Sequence, residues 1–200
     1  DAATIVPWNH YMAFGNISVL EQQYDSMKGW VDYMVSRSKD RGYLWNNGDH
    51  YGDWLFYSLS NDPGGRSAVT SSHLVAQCFF AHSADIVSRT AKLLGKQDEA
   101  DYYTEVASKV RKAYMDEYVT PNGLISSDTQ TAYVLALHFN MLPEHLREQA
   151  VERLVKNIER YDNHITTGFL GTSYICHVLT KYGKSDVAYK LLLQETCPSW

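Results

Sequence analysis

With 200 residues, 44% of them hydrophobic, the chain is long enough to bury a core of its own. A formal net charge of −5 argues against nucleic acid or an anionic membrane surface as a partner, since both select clustered Lys and Arg. No run of about eighteen apolar residues is present to span a bilayer.

In chain order, hydrophobic periodicity predicts four apolar helices over 2–14, 68–94, 128–139 and 168–182, each followed by a more polar partner over 17–37, 97–118, 143–160 and 185–195. Each pair is joined by a short turn at Gly15-Asn16, Gly95-Lys96, Asn140-Met141 or Gly183-Lys184, residues that tolerate the left-handed conformation ending a helix. The last three turns lie 45 and 43 residues apart, a period that marks stacked helix pairs. Connections back to the next apolar helix are longer and polar.

The two helix sets differ in pattern. In 143–160, Leu146, Ala150, Val151, Leu154, Val155 and Ile158 form one apolar stripe, which describes a helix with one wet face. In 128–139, apolar residues surround the axis nearly completely. Such alternation implies an inner layer wrapped by an outer one, with a flat α-solenoid as the alternative. Strand signals are confined to short stretches at 43–45 and 118–119, so the class is all-α, in a single domain over 1–200.

Every apolar helix then begins at the same end of the molecule, and function is expected there, among the long loops. Asp1, Asp128 and Thr167 suit N-caps, which accept free backbone N–H groups. Caps do not account for the connection from about Lys39 to Arg66, whose length of about 28 residues is unusual between helices. It carries YLWNNGDHYGDW and then the turn-forming Asn61–Gly65. Asp49 and Asp53 suit vicinal hydroxyls, and Trp54, Trp45 or Tyr51 offers an apolar face to a pyranose ring, with Trp54 the strongest candidate. The Asp49/Asp53 spacing lacks the sharp-turn Gly and bidentate Glu of a calcium loop. His73, His82, His138 and His177 follow no zinc spacing, and Cys78, Cys176 and Cys197 suggest neither a metal set nor a disulfide framework. Serine-nucleophile and phosphate-loop motifs are absent, and no cofactor is expected.

The segments DAATIVPW (1–8), YGDW (51–54), DTQTAYVLALHF (128–139), HITTGFLGT (164–172) and AYKLLLQETCPSW (188–200) together resemble the catalytic domain of bacterial α-L-rhamnosidases. That resemblance implies an (α/α)6 toroid of twelve helices that releases terminal L-rhamnose by inverting hydrolysis, acting on a rhamnose-containing glycoside or polysaccharide. It also implies that Asp53 and Trp54 contact the sugar. Asp1, His164 and Thr167 are added as substrate-binding residues because they should converge at the long-loop end.

In the family, the general acid lies in an Asp-Cys-Pro, Arg, Glu, Gly-Trp-x-Gly-Asp segment ahead of the part resembling Asp1. The general base lies in Gly-Ala-Thr-x-x-Trp-Glu, beyond the part resembling Trp200. Neither segment occurs here, so the expectation is an incomplete toroid of eight helices without catalytic residues or rhamnosidase activity of its own. A rival assignment takes Asp53 or Asp128 as acid and Glu195 as base. The competing class is a non-catalytic toroid or solenoid that binds a partner. An open arc would leave apolar flanks in water, predicting a marginal fold, self-association through those edges, or their repacking.

Overall fold

The computed structural model describes residues 1–57 and 69–200. Among them are eight α-helices: α1 (Ala2–Phe14), α2 (Ser18–Ser38), α3 (Ser72–Leu93), α4 (Gln97–Tyr118), α5 (Gln130–His138), α6 (Glu144–Arg160), α7 (Phe169–Lys181) and α8 (Ser185–Leu192). A 3-10 turn at Lys39–Arg41 follows α2. Val119 and Ile125 form one isolated antiparallel bridge, and the 43–45 stretch is irregular.

The helices form hairpins because of what sits at their ends. Gly15, Gly95, Asn140 and Gly183 all take positive φ, at 66°, 73°, 54° and 74°. At the last three, the following N–H turns back onto a carbonyl five residues earlier: Lys96 to Ala91 at 2.9 Å, Met141 to Ala136 at 2.8 Å and Lys184 to Leu179 at 2.8 Å. These bonds satisfy carbonyls that a helix end would otherwise leave open.

Most helices begin within one or two residues of expectation, with α3 and the cap of α5 as the departures. Helix α3 begins at Ser72 rather than 68, with the Val75 N–H bonded to the Ser71 carbonyl at 3.1 Å. Ala68 and the Asn61–Gly65 turn lie outside the described residues. Asp128, expected as a cap, instead has φ 45°, and the cap of α5 is Thr129, whose side chain accepts from the Ala132 N–H. Helix α8 stops at Leu192, which leaves Glu195 in irregular chain rather than in a helix.

Contacts divide the chain into two compact units, Asp1–Asn47 with Ala76–Tyr114, and Gly48–Val75 with Met115–Trp200. In the first, Leu20, Met27, Val31 and Met34 of α2 belong to a core with Phe80 and Val87 of α3 and Tyr103 and Val110 of α4. The buried amide of Gln77 fixes the chain after α2: its Oε1 accepts the Trp45 N–H at 2.8 Å, and its Nε2 donates to the carbonyls of Tyr43 and Val110, each at 3.0 Å. Helix α1 buries only Thr4 and Pro7, while Val6, Met12 and Phe14 are exposed.

In the second unit, α5 is buried along all of Gln130–Leu137. Its partner α6 buries only Ala150, Val151, Leu154, Asn157 and Ile158. This is the contrast between a covered and a half-covered helix that periodicity predicts. Helix α7 packs on both α5 and α8. The approach of α7 to α5 is close, for a Cβ on Gly171 would stand 2.4 Å from the Thr131 Oγ1 and 2.7 Å from the Thr167 Cγ2.

Candidate active-site wall

The YGDW turn lies in the second unit. Gly52 and Leu55 take positive φ, at 69° and 61°, on either side of Asp53 and Trp54. The turn sends the two neighbouring side chains to different fates: Asp53 is 4% exposed and Trp54 is 58% exposed.

Asp53 is fully engaged inside the protein. Its Oδ2 accepts from the Thr131 hydroxyl and, at 2.8 Å, from the Gly168 N–H. Its Oδ1 accepts from the N–H groups of Leu170 at 2.8 Å and Gly171 at 3.3 Å. Helix α7 starts at Gly168, which has no side chain to cap it, so a carboxylate more than a hundred residues away in sequence supplies the cap. Two donors on each oxygen leave no acceptor facing a sugar. Asp53, expected to bond substrate hydroxyls, is thus placed among internal donors.

Trp54 remains available. Its ring lies edge-on to Tyr51, with centroids 5.6 Å apart. Tyr51, Gly52, Trp54, Phe169 and Leu170 line an open hollow of about 430 Å³. Tyr51 and Phe169 are 82% and 62% exposed. The wall is closed by backbone: the Phe169 N–H donates to the Trp54 carbonyl at 2.9 Å, and the Tyr57 N–H donates to the Thr166 carbonyl at 3.1 Å. Gly168 admits no larger residue, because a Cβ there would lie 2.1 Å from the Trp54 carbonyl oxygen.

His164 and Thr167 serve the same segment from within. The His164 Nδ1 donates to the Tyr161 carbonyl at 2.9 Å, and its Nε2 lies 2.8 Å from the Thr196 hydroxyl. Thr167 is buried, with its hydroxyl 2.7 Å from that of Thr172. Thr167 is thus buried, whereas His164 is half-buried and its contact with Thr196 lies at the surface. Asp1, in the first unit, accepts on Oδ1 from the Trp30 indole N–H at 3.0 Å and the Ser83 hydroxyl at 3.1 Å. It begins α1 without capping it by its side chain.

The chain as a whole has relatives among known proteins. Residues 1–200 match the family described as the bacterial α-L-rhamnosidase 6 hairpin glycosidase domain. An α-L-rhamnosidase of Streptomyces avermitilis is 42% identical over 200 residues, covering 100% of this chain and 18% of that protein. One of Formosa agariphila is 40% identical over 202 residues, covering 100% and 21%. The crystal structure of the S. avermitilis enzyme complexed with L-rhamnose aligns with a TM-score of 0.90 at 42% identity, over 100% of this chain and 18% of that one. That of an Aspergillus terreus α-L-rhamnosidase aligns with a TM-score of 0.90 at 36% identity, over 100% and 23%. The chain belongs to the α-L-rhamnosidase six-hairpin glycosidase family. It spans about a fifth of the length of the relatives it matches.

A role that the sequence did not announce belongs to Gln130. Its Nε2 donates to the His164 carbonyl and its Oε1 accepts the Thr166 N–H, both at 3.0 Å, so a fully buried amide holds the irregular approach to α7. Gln77 does the same service in the other unit. Each is an amide in an otherwise apolar helical run, and that incongruity is the signal that could have found them. Asp128, the rival acid, bonds through Oδ1 to the Tyr133 hydroxyl at 2.8 Å and lies 3.8 Å through Oδ2 from Arg160. Glu195, the rival base, is exposed beyond α8.

Proposed function

We propose that this chain provides the aromatic wall of a rhamnose pocket in a glycosidase that releases terminal α-L-rhamnose by inversion. The general acid and base come from parts of the full-length protein outside these 200 residues. One observation carries the reading: exposed Trp54, Tyr51 and Phe169 gather around a single hollow, held by a backbone and side-chain network that leaves their rings free. Aromatic faces of this kind suit the C–H side of a pyranose. Membership of the rhamnosidase family supports the sugar, and the L-rhamnose complex of the S. avermitilis enzyme agrees with it.

Inverting hydrolysis requires one carboxyl group to protonate the departing oxygen and a second to activate water, about 6.5–9.5 Å apart. Asp53 has no oxygen left for either task, and Asp128 is tied to Tyr133 and Arg160. On this reading the acid and base lie elsewhere, and the chain by itself is inactive. Trp54 stays as the sugar-facing candidate in this unit, while His164 and Thr167 act through the shape of the loop.

The test is Trp54→Ala in the full-length protein, assayed on an aryl α-L-rhamnoside. A lost aromatic face of about 0.5–1.5 kcal/mol corresponds to a fall of about two- to tenfold in kcat/KM. An unchanged kcat/KM removes this loop from the pocket.

A further inference from the structure

We infer that Asp53 is a positioning residue: it acts on substrate only through Trp54 and Phe169, by locking the YGDW turn onto the first turn of α7. The inference rests on the reading of the aromatic hollow as part of the substrate site, and it assigns to Asp53 a different role from the sugar contact that family resemblance implies.

Three features carry it. The first is saturation: Thr131, Gly168, Leu170 and Gly171 supply four donors to two oxygens, in a side chain 4% exposed. The second is where those donors lie. Three are the backbone N–H groups that open α7, and the helix has no cap of its own. A negative charge at that place satisfies both the orphan N–H groups and the positive end of the helix dipole. The third is continuity with the hollow. Trp54 follows Asp53 directly and Phe169 follows Gly168, and the Phe169 N–H closes on the Trp54 carbonyl at 2.9 Å. One carboxylate thus fixes two rings that are far apart in sequence as walls of one hollow.

The lock has little play. Gly168 cannot accept a side chain against the Trp54 and Asp53 carbonyl oxygens, at 2.1 and 2.6 Å from its would-be Cβ. Thr131, on the buried helix α5, anchors the carboxylate from the other side. Replacing Asp53 by Asn keeps size and shape but puts an N–H2 where an oxygen now receives Gly168. That substitution loosens the turn while the aromatic side chains stay present.

The experiment is a double-mutant cycle in the full-length protein with Asp53→Asn and Trp54→Ala, reading KM and kcat separately on an aryl α-L-rhamnoside. Hydrogen exchange at the 168–171 amides is followed alongside. Asp53→Asn is expected to raise KM by about the same two- to tenfold as Trp54→Ala, with kcat within about twofold, because the rings contribute binding rather than chemistry. In the Trp54→Ala background its further effect on KM should shrink below about twofold. Exchange at 168–171 should quicken. Thr131→Val, which removes one donor of the four, is the milder second variant and should move KM and exchange in the same direction.

Full additivity of the two effects would mean that Asp53 touches the sugar itself and would overturn the inference. So would a drop in melting temperature and faster exchange with KM unchanged, the mark of a purely structural tie. If the unsubstituted full-length protein fails to turn over the rhamnoside, the functional reading falls instead. The same outcome for Asp53 is then told apart by the exchange and by the fluorescence of Trp54, which must still respond to Asp53→Asn if the lock exists.

Discussion

Single atoms decide most of this site. Gly168 and Gly171 are places where a methyl group has no room, against the Trp54 carbonyl and against Thr131 and Thr167. Gly168→Ala is expected to destabilise the protein by at least about 2 kcal/mol, because the obstruction at 168 is rigid backbone; Gly171→Ala should cost about 1–3 kcal/mol. Denaturant midpoints of the two variants check this order. His138 gives a residue-scale pH dependence. It stacks on Tyr174 at 4.2 Å between centroids, and burial, then the nearby positive groups Lys181 and His177, push its pKa below the ordinary value of 6.5. A histidine depressed in the folded state binds its proton more readily when unfolded. Its contribution to stability is therefore complete above about pH 6.5 and is lost as pH falls toward the depressed folded value. Melting curves from pH 8 to 5 should show this decline, reduced in His138→Gln.

At the scale of elements, the helix ends and most helix beginnings were legible, and the groups that cap those beginnings were not. Gly15, Gly95, Asn140 and Gly183 could be read as C-caps because the left-handed conformation is demanded by the backbone alone, whatever packs nearby. N-caps are negotiable. Asp1, Asp128 and Thr167 carry capping chemistry in sequence, yet α5 is capped by Thr129 and α7 by Asp53. The helix that matters most for the hollow is capped from a distant loop, which local sequence cannot announce. Two element-scale outcomes follow from this. Thr129→Ala should cost about 1 kcal/mol, since it frees the Ala132 N–H. Gln130→Leu should cost more, because it strands the His164 carbonyl and the Thr166 N–H in the interior, at about 1–3 kcal/mol for each group left unpaired. Chemical denaturation ranks the two.

At the scale of the whole molecule, exposed apolar faces and divided chemistry belong together. Val6, Met12 and Phe14 of α1 are exposed, as are Tyr189, Leu192 and Leu193 at the end of α8. The family is described by six hairpins and the described residues form four, and we propose that other parts of the full-length protein cover these faces. The isolated chain is then expected to self-associate. Light scattering should show a mass that rises with concentration, and Met12→Glu with Phe14→Glu should bring it back toward the monomer. An unchanging monomer would mean that the faces tolerate water. The isolated chain should also show no turnover of an aryl rhamnoside, and a rate near that of an intact enzyme would place both proton-handling carboxyl groups within these 200 residues.

Sequence alone determined the helical class, the hairpin turns and the family, because apolar period and left-handed turn residues act over a few neighbours and leave their mark in order along the chain. It also singled out the YGDW turn. Which way each residue of that turn faces was settled only in three dimensions. Asp53 and Trp54 are adjacent and equally suited to a sugar on paper, but the three N–H groups opening α7 draw the carboxylate inward and leave the indole outside. Those N–H groups belong to a helix more than a hundred residues further on, and a bond between such distant partners exists only once the chain has folded.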